Sequence, residues 1–200
     1  MRNASIHRQT AETDIRLTLS LEGRGDCQTQ SGCGFLDHML QLMARHGRFD
    51  LQVACRGDTW VDDHHTVEDV GIALGQAFGK ALGDRRGVRR YGQRLLPMDE
   101  ALVLAAVDLS GRGFLAMDLA LPCAKVGTFD TELVREFFQA VAREAGLTLH
   151  LRLISGLNTH HIIEAAFKGF GQAMREACSL DPQHPDDIPS TKGTLGGEGA

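Results

Sequence analysis

From about residue 133 onward, the chain repeats, element by element, the stretch that begins near residue 35. Phe35 to His46 has the pattern of a helix that Gly47 ends, and Leu133 to Glu144 has the same pattern. Phe49, Leu51 and Val53 alternate as a strand with one buried face, as do Leu147 to Leu153. Helices are expected over about Thr66 to Leu82 and Ile162 to Cys178. A shift of 98 places Gln41, Ala44 and Arg45 on Gln139, Ala142 and Arg143, and Phe49, Leu51 and Val53 on Leu147, Leu149 and Leu151. After a two-residue slip, a shift of 96 places Gly75-Gln76-Ala77 on Gly171-Gln172-Ala173.

Two copies are too few for a solenoid. The natural reading is an α+β fold of two similar β/α halves from an internal duplication, related by a pseudo-dyad. The halves are expected at about 8–95 and 96–180 of a single domain spanning 1–200, with an irregular Pro- and Asp-rich tail over 181–200. Further strands are expected at 15–22, around 101–109 and at 113–120. Glycines at 71, 75 and 79 weaken a helix, so their four-residue spacing points to close helix–helix approach.

Apolar residues make up 42% of the chain, enough for a core. A formal net charge of -5 gives no reason to expect nucleic acid or an anionic membrane as partner. Arg85, Arg86, Arg89 and Arg90 form a local basic cluster that could hold a small anion or be a solvated face. Five scattered cysteines without CxxC spacing argue against a disulfide framework or a thiolate zinc site. With no apolar leader and no apolar run near the roughly 20 residues that span a bilayer, a cytoplasmic protein is expected.

The repeat carries chemistry. His-His-x-x-Glu occurs at His64, His65, Glu68 and again at His160, His161, Glu164. On a helix, the Glu is three and four residues from the two histidines, so either pair can meet on one face. Adjacent residues point about 100° apart, so the two imidazoles of one pair face different ions. A donor set of imidazole and carboxylate without thiolate suits manganese, zinc, iron or nickel, and the carboxylates lean towards manganese. A lone histidine is more often capped, solvated or buried than a ligand, but the same pattern stands twice at equivalent places. His38 is matched at a shift of 98 by Glu136, which suggests one further ligand per half, with His150 as competitor to Glu136. His7, His46 and His184 lack partners in the pattern.

Several stretches carry a resemblance. They are Gly34-Phe35-Leu36-Asp37-His38-Met39-Leu40, Asp63-His64-His65-Thr66-Val67-Glu68-Asp69, Met98-Asp99-Glu100-Ala101, Asp108-Leu109-Ser110-Gly111-Arg112, His160-His161-Ile162-Ile163-Glu164-Ala165 and Ser190-Thr191-Lys192-Gly193. From about Arg8 to Leu195 the chain resembles the imidazoleglycerol-phosphate dehydratase family. The resemblance implies helices packed between two sheets, a homo-oligomer of 24 subunits built from trimers, and two manganese ions per active site at subunit contacts. It implies His38, His64, His65, Glu68, Glu136, His160, His161 and Glu164 as metal ligands, with Glu136 standing where the family often has His. It places substrate contacts at Glu12, Arg90, Arg112, Lys168, Ser190 and Lys192; Arg and Lys are what a phosphate calls for.

The implied reaction is dehydration of imidazole glycerol phosphate to imidazole acetol phosphate in histidine biosynthesis. Metal charge would stabilise an imidazolate whose electron push expels hydroxide, through a diazafulvene-like intermediate. The catalytic carboxylates would be Glu12, Glu68 and Glu164, with Glu12 moving the proton on carbon. Two other readings of the residues stay open: a binuclear metallohydrolase acting on phosphate esters, and a non-catalytic metal-storage assembly.

Overall fold

The computed structural model describes residues 1–195; the expected tail over 196–200 lies outside the described residues. Its strands are β1 (Asn3–Gln9), β2 (Thr13–Ser20), β3 (Cys27–Gln30), β4 (Asp50–Gly57), β5 (Tyr91–Met98), β6 (Ala101–Asp108), β7 (Phe114–Asp118), β8 (Lys125–Val126), β9 (Phe129–Asp130) and β10 (Thr148–Ser155). Its helices are α1 (Gly34–Gly47), α2 (His64–Leu82), α3 (Leu133–Ala145) and α4 (Thr159–Cys178).

Two four-stranded sheets have matching orders, β1-β2-β4-β3 and β5-β6-β10-β7. In each, three strands are antiparallel and the last, β3 or β7, runs parallel to its neighbour. A parallel neighbour needs a crossover, and α1 and α3 supply it. α2 packs on β1 and β2, α4 on β5 and β6, and the helices meet across the halves as α1 with α4 and α2 with α3. The architecture is therefore α+β with the helical layer between two sheets. β8 and β9 form a small hairpin before α3.

Alternation explains the central strands: β2 and β6 bury every second residue, from Thr13 through Leu19 and from Ala101 through Val107. A run of phenylalanines joins the halves. Phe49 meets Phe78 at 5.3 Å, Phe78 meets Phe170 at 6.4 Å, and Phe170 meets Phe138 at 5.5 Å. Tilted and edge-on pairs of this kind add about 0.5–1.5 kcal/mol each beyond burial.

The glycine spacing is explained at the crossings. A Cβ on Gly71 would stand 2.8 Å from Phe137 O, and one on Gly75 2.8 Å from Val141 O, so α2 and α3 approach backbone to backbone. Gly79 is looser, 3.5 Å from Glu144 O. Gly47 and Gly171 play the same part where α1 crosses α4. No described helix is long and apolar enough to cross a membrane.

The basic cluster makes main-chain contacts in the folded chain. Arg85 donates to the carbonyls of Leu109, Ala145, Gly146 and Leu195, Arg86 to Asp186 O, and Arg90 to Pro189 O. Three of the four arginines thus hold the main chain, each with one contact to the tail, at Leu195, Asp186 or Pro189.

Candidate metal centre and active site

Helices α1 and α4, from opposite halves, bring His38, His160 and Glu164 together. Their ligand atoms lie within 4.8 Å of one another, the only such set of three His, Cys, Asp or Glu donors among the described residues. His160 Nε2 is 3.2 Å and His38 Nε2 3.8 Å from Glu164 Oε2. The close crossing of α1 over α4 at Gly47 and Gly171 allows this. Burial would push the Glu164 carboxyl up, but the ammonium of Lys168 and the His160 ring outweigh it and hold it below its ordinary value. Lys168 Nζ bonds to Glu164 Oε1 and approaches Met98 Sδ at 3.5 Å. Three converging nitrogen and oxygen donors suit a divalent cation such as manganese.

The matching positions of the first half are arranged more loosely. His64 Nε2 and Glu68 Oε2 are 3.9 Å apart, and Glu68 lies 3.9 Å from Arg143. Glu136, half-buried in the first turn of α3, does not close this set as His38 closes the other. Its competitor His150 is exposed in the middle of β10, paired with Ala106 and Ala116. The rings of His64 and His65 are 6.3 Å apart at 80°, and those of His160 and His161 6.3 Å apart at 81°. Each pair is therefore splayed, with its two imidazoles aimed differently.

The second histidines are each held by a carboxylate. Asp58 sets its oxygens 3.0 and 3.2 Å from His65 Nδ1. Glu100 sets Oε2 2.7 Å from His161 Nδ1, while its Oε1 accepts the amides of Asn158 and Leu157 at 2.8 and 3.3 Å. The His161 ring and the Asn158 amide hold the Glu100 carboxyl down at about 2. Glu12, in the β1–β2 turn, lies 3.6 Å from His65 Nε2. Asp99, at a left-handed φ of 49° in the two-residue β5–β6 turn, lies 3.8 Å from His161 Nε2.

The expected substrate contacts fall in separate places. Lys168 borders the closed donor set and Glu12 borders His65. Arg90 pairs with Asp108 at 2.8 and 3.3 Å and carries the tail through Pro189 O. Ser190 Oγ accepts the Lys192 amide at 3.2 Å in that tail. Arg112 is exposed in the turn before β7, its amide bonded to Ser110 Oγ. Within one chain these residues thus belong to three groups: Lys168 to the α1–α4 donor set, Glu12 to the His65 pair, and Arg90 to the tail.

Four of the five cysteines, all but the exposed Cys123, have the character of packing groups. Burial pushes the thiols of Cys27, Cys33 and Cys55 up to about 11 and that of Cys178 to about 12, so none is a ready thiolate.

Sequence reasoning missed Asp58 as an orienting group, and Glu100 entered it only as part of a resembling stretch. At a shift of 98, Asp58 falls on Gly156, so the repeat gives it no partner. Strand register supplies the signal for Glu100. Leu17 pairs with Val53 and Ala105 with Leu151, which places the two hairpins 88 residues apart and Glu12 on Glu100.

Known proteins match this chain over nearly all of its length. The family model "Imidazoleglycerol-phosphate dehydratase" matches residues 31–174. The imidazoleglycerol-phosphate dehydratase of Dinoroseobacter shibae is 59% identical over 195 residues, covering 98% of this chain and 100% of the relative. That of Synechococcus sp. (strain WH7803) is 56% identical over 195 residues, covering 98% and 96%. The crystal structure of the Staphylococcus aureus enzyme superposes with a TM-score of 0.82 at 41% identity, covering 90% of this chain and 99% of that one. The Pyrococcus furiosus enzyme, solved in complex with (S)-C348, gives 0.83 at 35% identity, covering 95% and 100%.

Proposed function

The chain belongs to the imidazoleglycerol-phosphate dehydratase family, and from this premise we propose how its residues carry out the dehydration. The protein is a dehydratase of histidine biosynthesis acting on a phosphorylated imidazole. In our reading it works in the cytoplasm as a 24-subunit homo-oligomer built from trimers, with two manganese ions at each active site. The ligands are His38, His64, His65, Glu68, Glu136, His160, His161 and Glu164. What supports this is the closure of His38, His160 and Glu164 into one donor set by helices from opposite halves.

Manganese held by these residues would supply Lewis-acid charge beside the imidazole and so ease loss of its ring proton. The protein's own groups then have three tasks. Arg90, Arg112, Lys168, Ser190 and Lys192 grip the phosphorylated glycerol, with charge-assisted bonds to the phosphate. The carboxylates Glu68 and Glu164 would stand beside the histidines of their own motifs as ligands of the ions. Glu12 takes the proton from the carbon next to the one that loses hydroxide. The C–H electron pair becomes the new C=C bond, hydroxide and proton leave as water, and the enol tautomerises to the ketone. What supports this role for Glu12 is a side chain 52% exposed whose carboxylate faces His65 Nε2 at 3.6 Å, beyond hydrogen-bond distance.

The test is turnover of synthetic imidazole glycerol phosphate by protein stripped of metal and reloaded with manganese. Manganese-dependent formation of the phosphorylated ketone is expected. Release of inorganic phosphate instead, or undiminished turnover after verified metal removal, overturns the scheme. Glu12→Gln should lose turnover by about 10²-fold or more while still binding manganese and substrate.

A further inference from the structure

The two halves treat the second histidine of each motif alike by unlike means. A carboxylate only accepts hydrogen bonds, and those of Asp58 and Glu100 stand 3.0 Å from His65 Nδ1 and 2.7 Å from His161 Nδ1. The Nδ1 atoms of His65 and His161 must therefore carry the hydrogen in these contacts, so that the neutral ring presents its lone pair at Nε2. A metal-binding imidazole needs this tautomer, and a carboxylate behind it commonly fixes the ring.

The carboxylates come from different places in the repeat. Asp58 follows β4, and its equivalent, Gly156, has no side chain to offer. A side chain there would also be crowded, since a Cβ on Gly156 would lie 3.0 Å from Ala101 and φ is 143°. The second half fills the need from the β5–β6 turn instead, with Glu100, whose register equivalent is Glu12. Glu12 and Glu100 thus began as equivalent positions with divergent fates. Asp58 relieves Glu12 of the orienting task; Gly156 commits Glu100 to it.

We propose that Asp58 and Glu100 are positioning residues that fix the Nδ1–H tautomer of His65 and His161, and that this division leaves Glu12 alone free for proton transfer. The proposal rests on the manganese reading above and assigns roles to residues outside its ligand set.

Manganese titration of metal-free protein, with free ion followed by electron paramagnetic resonance, tests it. Wild type is compared with Asp58→Asn and Glu100→Gln, substitutions that keep shape and an acceptor oxygen, and metal-free melting temperatures are measured alongside. Wild type should take up about two ions per chain. Each variant should weaken one of them by about 10- to 100-fold with little change in melting. Saturating manganese should bring Glu100→Gln back to within a few-fold of wild-type turnover and leave Glu12→Gln inactive.

Wild type that takes up no manganese overturns the metal reading itself. Wild type that binds normally, with unchanged affinity in both variants, overturns the positioning roles alone, whether or not melting falls. A Glu100→Gln protein that binds manganese fully yet stays inactive puts Glu100 in the chemistry and overturns the division of labour.

Discussion

Arg85 is 8% exposed and its guanidinium meets four carbonyls: Ala145 at 2.7 Å, Leu109 at 2.9 Å, Gly146 at 3.0 Å and Leu195 at 3.1 Å. Two of these end α3, where a positive charge also faces the negative end of the helix dipole. Arg85→Met would leave buried carbonyls without donors, a cost of about 3 kcal/mol, read as a melting temperature lower by roughly 10 °C. Arg85→Lys should recover part of it. Asp50 is a second case. Burial alone would raise its carboxyl, but the amides of Asp26, Arg24 and Gly25 outweigh this and lower it. A lowered folded pKa stabilises above the unfolded value of about 3.9. That contribution is lost as pH falls through the folded pKa. The stability gap between wild type and Asp50→Asn should therefore be full at pH 6 and close as pH drops below about 4, which acid titration of melting curves would show. Neither residue stands out in the sequence: Arg85 is one of four similar arginines, and only the fold buries it.

The helices and central strands were legible because they bury one face in a regular period. Four helices fall at their expected places, each longer by a few residues at most, and the strands at 15–22, 49–53, 101–109, 113–120 and 147–153 are all present. β1, β3 and β5 were not expected. Asn3–Gln9 and Cys27–Gln30 are edge strands of the first sheet, and Tyr91–Met98, an edge of the second, contains Pro97. Such strands are held by main-chain pairing more than by burial, and although β1 and β3 alternate in exposure, their inward positions carry Ala4, Ile6 and Arg8 and Cys27 and Thr29, too few apolar residues to mark a strand. β5 also means that the second copy of the repeat starts at Tyr91, ahead of the boundary drawn from residue identities. The candidate site was half legible: the paired motifs and His38 are in the pattern, whereas Asp58 and the tail-holding arginines are set by tertiary contact. The glycine crossing gives a test. Ala is favoured over Gly in a helix by about 1 kcal/mol, yet a Cβ on Gly75 would meet Glu144 Cβ at 2.7 Å and Val141 O at 2.8 Å. Gly75→Ala should destabilise by a net 1–3 kcal/mol or so, seen in chemical denaturation, while Gly79→Ala should be close to neutral.

At the scale of the whole chain, apolar side chains stand exposed just ahead of both paired motifs. Trp60 is 84% and Val61 60% exposed before His64, and Leu157 is 81% exposed before His160. The proposed assembly would cover such residues. Trp60, the single tryptophan, reports on this. Chelation of the assembled protein should shift its emission to the red as the complex dissociates, with light scattering following the mass; a fixed emission would place Trp60 in solvent throughout. Within one chain, α1 and α2 rest on the first sheet but find their helical partners only in α4 and α3. During synthesis this sets an order of events. The first half leaves the ribosome with the helix faces that later meet the second half, at Gly47 on α1 and at Gly71, Gly75 and Phe78 on α2, still uncovered. At about 5–20 residues per second, the roughly one hundred residues that complete α4 take on the order of 5–20 s to arrive. For that interval the nascent chain is a sticky intermediate, and a chaperone that binds it before α3 emerges would shield the surface on which the second half must later settle.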